Sequence, residues 1–327
     1  MQSIPVLTQP LSIAPMMDWT DRYYRYLMRL ITRKTLLYTE MVTTPALLHG
    51  NRKNFLQFNK FEKPLVLQLG GDNPSELMFA ARLAEEWGYS GINLNVGCPS
   101  DRVQNGNFGA CLMANPHLVG ECLLSMQNVV KIPVSIKHRI GIDGYETYQD
   151  LQNFVSLVSS YGCKHFIIHA RVAILKGLSP LENRTIPPLR YEDVYKIKKE
   201  FPDLQIDING GIRDFTTAKK QLKFVDSVMI GREAYENPFL FEKADSTFFG
   251  EEYKPKKRKQ ILEELSFYLQ EEVGKGQKPS AILRHCLNLY KGVSGSKQYK
   301  RFLTENMYKN QGIEFFKDLL KELPEEI

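Results

Sequence analysis

Long apolar runs are missing from the 327 residues: no stretch approaches the roughly 20 residues that cross a bilayer. The first residues, Met1-Gln2-Ser3-Ile4-Pro5, put no basic flank before an apolar segment. A soluble, cytoplasmic protein is therefore expected, not a membrane-bound one. Cysteine is scarce as well. Five are present, with no CxxC pair and no ligand spacing to the six histidines, which argues against a metal site and for a reducing compartment. No strand-like run is followed by a GxGxxG turn opening a helix, which argues against a dinucleotide-binding doubly wound sheet. Acidic residues are nearly absent from one stretch. Residues 275–309 hold eight basic side chains against the single acid Glu305, a local charge of +7 in a chain whose total is +6. Tyr290, Tyr299, Phe302 and Tyr308 are interleaved with these cations, a composition that suits phosphate contact plus base stacking.

What is there is a rhythm. Apolar runs at Leu11–Ala14, Leu36–Met41, Leu65–Leu69, Gly91–Val96, Val134–His138, His165–His169, Gln205–Asn209 and Asp226–Ile230 have strand length, and amphipathic helical segments separate most of them. The first such helix follows Thr20, read as its N-cap. Eight strands buried on both faces and alternating with helices predict an α/β fold of the parallel (β/α)8 TIM-barrel type. The barrel should occupy residues 1–245. Apolar stripes at Ile261, Leu265, Leu269 and Val273, and at Ile313, Phe316, Leu320 and Leu323, then predict a small all-α domain over 246–327 that carries the basic cluster.

In such a barrel the C-terminal strand ends line one mouth, so polar residues there converge although they are distant in sequence. The strand ends offer Pro15-Met16-Met17, Gln68, Asn95, Cys98, Lys137, His169, Asn209-Gly210-Gly211 and Gly231-Arg232. Each alone has a plain structural explanation. Together, on one side of a barrel, they do not. Glycine-exposed backbone after strands seven and eight suits phosphate, and Arg232 adds a bidentate cation. A lysine in the mouth would stabilise negative charge on a reduced flavin ring, an amide such as Gln68 can read its polar edge, and Pro15 to Met17 would wall it. FMN is the natural occupant; FAD or a sugar phosphate would satisfy the same spacing. Cys98 is presented by a Gly-Cys-Pro turn, and a thiol is mostly protonated near neutrality, so it can act as an acid beside a hydride donor. Asn95, three residues earlier, would orient a substrate carbonyl. The run Asn105 to Ala110 reads as a loop that can close over the thiol.

These residues carry a resemblance. Ala14-Pro15-Met16 with Asp18-Trp19-Thr20-Asp21, then Asn93-Leu94-Asn95-Val96-Gly97-Cys98-Pro99-Ser100-Asp101-Arg102-Val103, then Gly109-Ala110-Cys111-Leu112-Met113, resemble the tRNA-dihydrouridine synthases. Lys137-His138-Arg139-Ile140-Gly141-Ile142-Asp143, His169-Ala170-Arg171, Gly177-Leu178-Ser179-Pro180 and Glu182-Asn183-Arg184 resemble the A subfamily in particular. The resemblance implies an FMN-binding barrel with a helical tRNA-binding domain. It implies that NADPH reduces the FMN, which then reduces the 5,6 double bond of uridine at D-loop positions 20 and 20a. Hydride would pass from flavin N5 to C6, and Cys98 would protonate C5. By position, Pro15, Met16, Met17, Gln68, Lys137, His169, Asn209, Gly210, Gly211, Gly231 and Arg232 would hold FMN, and Asn95, Leu181, Arg184, Lys297 and Lys300 would meet tRNA. Leu181 stands where the subfamily usually has lysine. Lys297 and Lys300 stand where it often has arginine, which alone has the planar bidentate fork. The target base must leave its stack, so a flipped uridine is expected; a monomer is expected because nothing in the sequence reads as a dimerisation element. Two other readings remain: an FMN barrel acting on a free pyrimidine, which gives the basic segment no role, and a non-catalytic tRNA-binding protein, which leaves Cys98, Lys137 and His169 unexplained.

Overall fold

The structure, a computed structural model, describes residues 6–104, 106–252, 254–309 and 312–323. Met1–Pro5 and Asn105, on which the readings of the N-terminus and of the loop after Cys98 partly fell, lie outside them. The eight expected strands are present: β1 Leu11–Ile13, β2 Leu37–Thr43, β3 Leu65–Gly70, β4 Gly91–Val96, β5 Val134–Arg139, β6 His165–His169, β7 Gln205–Asn209 and β8 Ser227–Ile230. All pairings are parallel, in the order β1-β8-β7-β6-β5-β4-β3-β2. A bridge closes the remaining gap, where the Ile13 N–H donates to the Leu36 carbonyl at 2.9 Å and the Leu36 N–H to Leu11 at 3.1 Å. Each strand therefore neighbours the next in sequence around a barrel, which a doubly wound sheet does not allow.

The strands read as continuous apolar runs because both faces are covered. Outward residues such as Leu67, Leu94, Ile136 and Ile208 are buried beneath the helices that follow them. Inward residues alternate with these. Ala14, Leu36, Tyr38, Val66, Ile167 and Met229 form one apolar cluster, with Met16 packed on it. At the C-terminal strand ends the inward positions Gln68, Asn95, Lys137, His169 and Asn209 are polar, and deeper in the barrel Ser12, His165, Asp207 and Ser227 are buried polar residues on the same face.

The chain divides into two compact units: Met1–Met16, Leu36–Phe58 and Lys63–Gly231; and Met17–Thr35, Asn59–Glu62 and Arg232–Ile327. The sequence boundary at 245 is thus not where the compact division falls. The second unit takes in the helix Arg22–Ile31, although chain order assigns it to the barrel. Its N-cap is Asp21, not Thr20: the Asp21 carboxylate accepts the Tyr23 and Tyr24 N–H groups at 3.0 Å each. Its far end is held by Asp245, fully buried, which accepts the Thr32 hydroxyl and the Arg33 N–H at 2.6 Å and the Lys34 N–H at 3.1 Å. The residue at the expected domain boundary is an anchor. Within the same unit Arg25 pairs with buried Glu62 at 2.6 Å. The helices Arg258–Gly274, Ser296–Asn306 and Glu314–Glu322 belong to it; of the two expected stripes Ile261, Leu265, Leu269, Ile313 and Phe316 are buried, whereas Val273, Leu320 and Leu323 are half-buried.

Candidate active site

The mouth of the barrel unit is organised by a ladder of side-chain amides. Asn95 donates to the Gln68 amide oxygen at 2.9 Å, Gln68 donates to Asn93 at 2.8 Å, and Asn93 donates to the Ser135 hydroxyl at 3.0 Å. All four side chains are buried and point inward from adjacent strands, so each strand fixes its neighbour's rotamer. The free end of the ladder is Asn95. Its amide oxygen accepts the N–H groups of Gly97 at 3.1 Å and Cys98 at 3.0 Å, which folds the Gly-Cys-Pro turn back on the strand. The residue expected to face a substrate carbonyl thus first sets the thiol in place. Its amide nitrogen carries a second hydrogen besides the one given to Gln68.

Cys98 is partly exposed, with its Sγ 3.5 Å from the Ser100 hydroxyl. From the other side its carbonyl accepts the Ala110 N–H at 2.9 Å. Gly109, just before Ala110, has a left-handed backbone (φ 76°), and a β-carbon there would lie 2.6 Å from the Cys98 carbonyl oxygen. The glycine in this motif is a matter of approach distance.

Across the mouth, the Lys137 ammonium donates to the Asn209 amide oxygen at 3.1 Å, and Asn209 donates to the Met229 carbonyl at 2.8 Å. Burial pushes the Lys137 pKa down to about 7, Arg139 adds to the fall, and Cys98 opposes it. His169 is held well below its usual range by burial and then by Arg139, Lys137, Arg171 and Arg184, so its imidazole is neutral at neutral pH. Arg139, Lys137, Arg171 and Arg184 all act on the His169 charge in the same sense. After β7, Gly210 (φ 118°) and Gly211 (φ 69°) press against the His169 ring and Leu189, and Tyr191 bonds the Gly210 carbonyl at 2.6 Å. A β-carbon at Gly231 would instead make only ordinary contacts, with Ala14 Cβ at 3.9 Å and Asn209 Nδ2 at 4.0 Å. A bare backbone cradle, the cations acting on His169 and a partly buried lysine fit a phosphate-bearing, electron-rich ring cofactor such as FMN. Pro15 and Met16 are half-buried beside the apolar cluster. Met17, 54% exposed, and Arg232, the first residue of a short helix, belong to the second unit.

The sequence reading gave no role to Arg139, Asn183 or Gln104. Arg139 is buried and donates to the carbonyls of Gly97 at 3.2 Å, Val172 at 3.3 Å and Asn183 at 2.9 Å. It ties the thiol turn to the long loop after β6. The period-two pattern on β5 already placed it inward, in line with Ser135 and Lys137. Asn183, fully buried, closes that loop on itself by bonding Ile174 N and O, Leu178 O and Ser179 O. Gln104 donates to Pro99 O at 2.8 Å and Leu175 O at 3.1 Å. Of the residues expected to meet RNA on this loop, Arg184 is half-buried, with its Nε on Pro180 O at 2.8 Å, and Leu181 is 60% exposed.

In the second unit Lys297 and Lys300 are exposed on the helix Ser296–Asn306. The aromatic part of the sequence reading needs correction. Tyr290 and Tyr299 are core residues, each 4% exposed, with ring centroids 4.5 Å apart, and cannot offer a face to a base. The charge is also partly answered: Arg284 pairs with Asp21, Lys291 with Glu233, Lys275 with Glu271 and Glu272, and Arg301 with Glu305. Among the described residues, no group of three or more His, Cys, Asp or Glu side chains could hold a metal, and no helix is long and apolar enough to cross a membrane.

Comparison with known proteins places this geometry. The family model described as dihydrouridine synthase matches residues 12–324. The chain is 54% identical over 297 residues to the tRNA-dihydrouridine(20/20a) synthase of Synechocystis sp., covering 91% of this chain and 89% of that one. It is 52% identical to the protein of the same name from Vibrio parahaemolyticus, covering 97% and 98%. For the one from Pseudomonas aeruginosa the figures are 50% identity over 93% and 91%. Among solved structures, morphinone reductase (TM-score 0.53, 10% identity, 74% of this chain and 87% of that one) shares the fold. So does an old yellow enzyme homologue from Zymomonas mobilis (TM-score 0.53, 12%, 76% and 90%).

Proposed function

The chain belongs to the dihydrouridine synthase family, and from that premise we propose that it reduces the 5,6 double bond of uridine to dihydrouridine at tRNA D-loop positions 20 and 20a, with bound FMN and with NADPH as electron donor. When bound, FMN supplies the hydride that reaches C6. The proton for C5 comes from the Cys98 thiol. The observation that carries this assignment is the ladder Ser135–Asn93–Gln68–Asn95, which ends on the Cys98 N–H and leaves the thiol partly exposed at the mouth. Lys137, Gln68, His169, Asn209, Gly210, Gly211 and Gly231 hold the cofactor against the wall made by Pro15 and Met16; by resemblance Met17 and Arg232, the next residues along the chain, complete the set. A neutral His169 donates or accepts a hydrogen bond without adding a charge to those of the cations that act on it.

The uracil is read by the second Asn95 amide hydrogen and is flipped out of its stack to reach the thiol. Arg184 on the loop after β6, and Lys297 and Lys300 in the helical unit, contact the tRNA backbone. Leu181 contributes an apolar contact, as its 60% exposure supports. The enzyme works as a monomer in the cytoplasm, where its substrate is.

A visible spectrum of the purified protein, followed by NADPH and then unmodified tRNA under anaerobic conditions, tests the reading. Flavin bands that bleach with NADPH and recover with tRNA, but not with free uracil or orotate, are expected. Recovery with a free pyrimidine would replace tRNA as substrate. Failure to retain flavin after reconstitution would leave an RNA-binding protein without this chemistry.

A further inference from the structure

The helix Ser296–Asn306 has one buried side. Tyr299, Leu303 and Met307, four residues apart, are 4%, 0% and 2% exposed. The opposite side carries Lys297, Lys300, Arg301 and Thr304, and Tyr308, which is 66% exposed, lies in the turn that follows the helix. Lys297, Lys300 and the adjoining Lys309 make no ion pair among the described residues; Lys300 reaches only the Asn288 amide oxygen, at 3.2 Å. Arg301 meets only exposed Glu305, at 3.7 Å. In the basic segment the tyrosines at 290 and 299 are spent on the core, and Tyr308 alone of the three presents its ring to solvent.

We propose that Tyr308 is a stacking platform for an unpaired nucleobase of the bound tRNA, set at the end of a cationic helix face whose lysines contact the flanking phosphates. The inference rests on tRNA being the substrate and names a contact beyond those the resemblance implies. The occupant follows from charge complementarity: uncompensated lysines beside an exposed aromatic face match alternating phosphates and bases. A phenol ring stacks on any base, so this contact holds the tRNA without choosing the uridine.

The test measures affinity for unmodified tRNA at several salt concentrations, for the holoenzyme and its variants. Tyr308→Ala should weaken binding about 5- to 100-fold with the salt slope unchanged, because a stacked ring releases no counterions. Tyr308→Phe should bind like the parent, while Lys300→Ala should flatten the slope. An unchanged Kd in Tyr308→Ala overturns the proposal, and so does a Tyr308→Phe variant as weak as Tyr308→Ala, which would assign the effect to the hydroxyl. Tyr308→Trp gives an independent reading: its fluorescence should be quenched on binding, and no change in emission counts against stacking. Dihydrouridine formation by the parent enzyme is followed in parallel. If it is absent, the functional reading itself fails; if it is present while Tyr308→Ala binds normally, only the stacking contact does.

Discussion

Replacing Gly109 by alanine should cripple the thiol while leaving the cofactor site intact. The new methyl carbon would sit 2.6 Å from the Cys98 carbonyl oxygen and 2.3 Å from Val103 Cγ1, on a backbone with φ at 76°. Val103 can turn away, but the carbonyl cannot. It is fixed by the Ala110 N–H at 2.9 Å, and the Cys98 amide is fixed by Asn95 at 3.0 Å. Ordinary contact begins at 3.4 Å, so the Cys98 carbonyl and the segment Gly109-Ala110 must part by close to 0.8 Å. The left-handed backbone adds about 1–2 kcal/mol for a residue with a β-carbon. A displacement approaching 1 Å at a reacting group costs up to about 100-fold in rate. Single-turnover formation of dihydrouridine by pre-reduced enzyme at saturating tRNA should therefore fall about 10- to 100-fold, with flavin content unchanged. A Gly109→Ala enzyme with normal flavin and a rate within two-fold of the parent would refute the reasoning. Comparison with Cys98→Ala would show which step is wrong: if that variant is also active, the thiol is not the acid; if it is dead, the turn tolerates the shift.

Three further outcomes follow from the same geometry. Because the Lys137 pKa lies near 7, its cation is lost as pH rises through that value, so FMN should bind the apoprotein more weakly at pH 8.5 than at pH 6.5; fluorescence titration checks this, and Lys137→Met should be weak at both pH values with the dependence gone. His138 is fully buried against Phe154 and Phe166, and burial pushes its pKa down to about 4. The unfolded chain binds that proton first, so stability is lost as pH falls from 6.5 towards 4, by about 2 kcal/mol at pH 5; calorimetry of the parent and His138→Gln should show a smaller acid-induced fall in Tm for the variant, and equal falls would contradict the assignment. Asn183→Ala removes the buried bonds that close the loop after β6, at about 3 kcal/mol of local stability; limited proteolysis should cut within 174–184, and KM for tRNA should rise while flavin content holds.

The strands and the strand-end polar set were legible in the sequence because both are local. A run buried on two faces has no alternation to misread, so expected and observed strand limits differ by two residues at most. What escaped depends on chain paths that local pattern does not encode. Asp21 and Thr20 are both good N-caps, and only the backbone decides which side chain reaches the first free N–H groups. Asp245 fell at the expected domain boundary because its three donors lie more than 200 residues earlier. Asn183 looked like a loop polar residue because its partners are carbonyls whose positions exist only once the loop has closed. Tyr290 and Tyr299 sit in a basic, aromatic composition that suits RNA, yet the spacing 299, 303, 307 marks an inward face and both rings are buried.

The amide ladder explains how a fold can specify a thiol position to a fraction of an ångström. Parallel register fixes which inward residues lie side by side: Gln68 opposite Asn93, Asn93 opposite Ser135, and Asn95 opposite Lys137. Amide side chains at the first of these convert register into rotamer, since each has one donor and one acceptor committed to a neighbouring strand. Asn95 passes the result to the backbone of Cys98, and Arg139 carries the same reference frame from Gly97 to the loop holding Arg184. Apolar residues at these positions would pack but would not orient. The polar interior at this level, costly in an ordinary core, is what couples the barrel's register to the turn that carries Cys98.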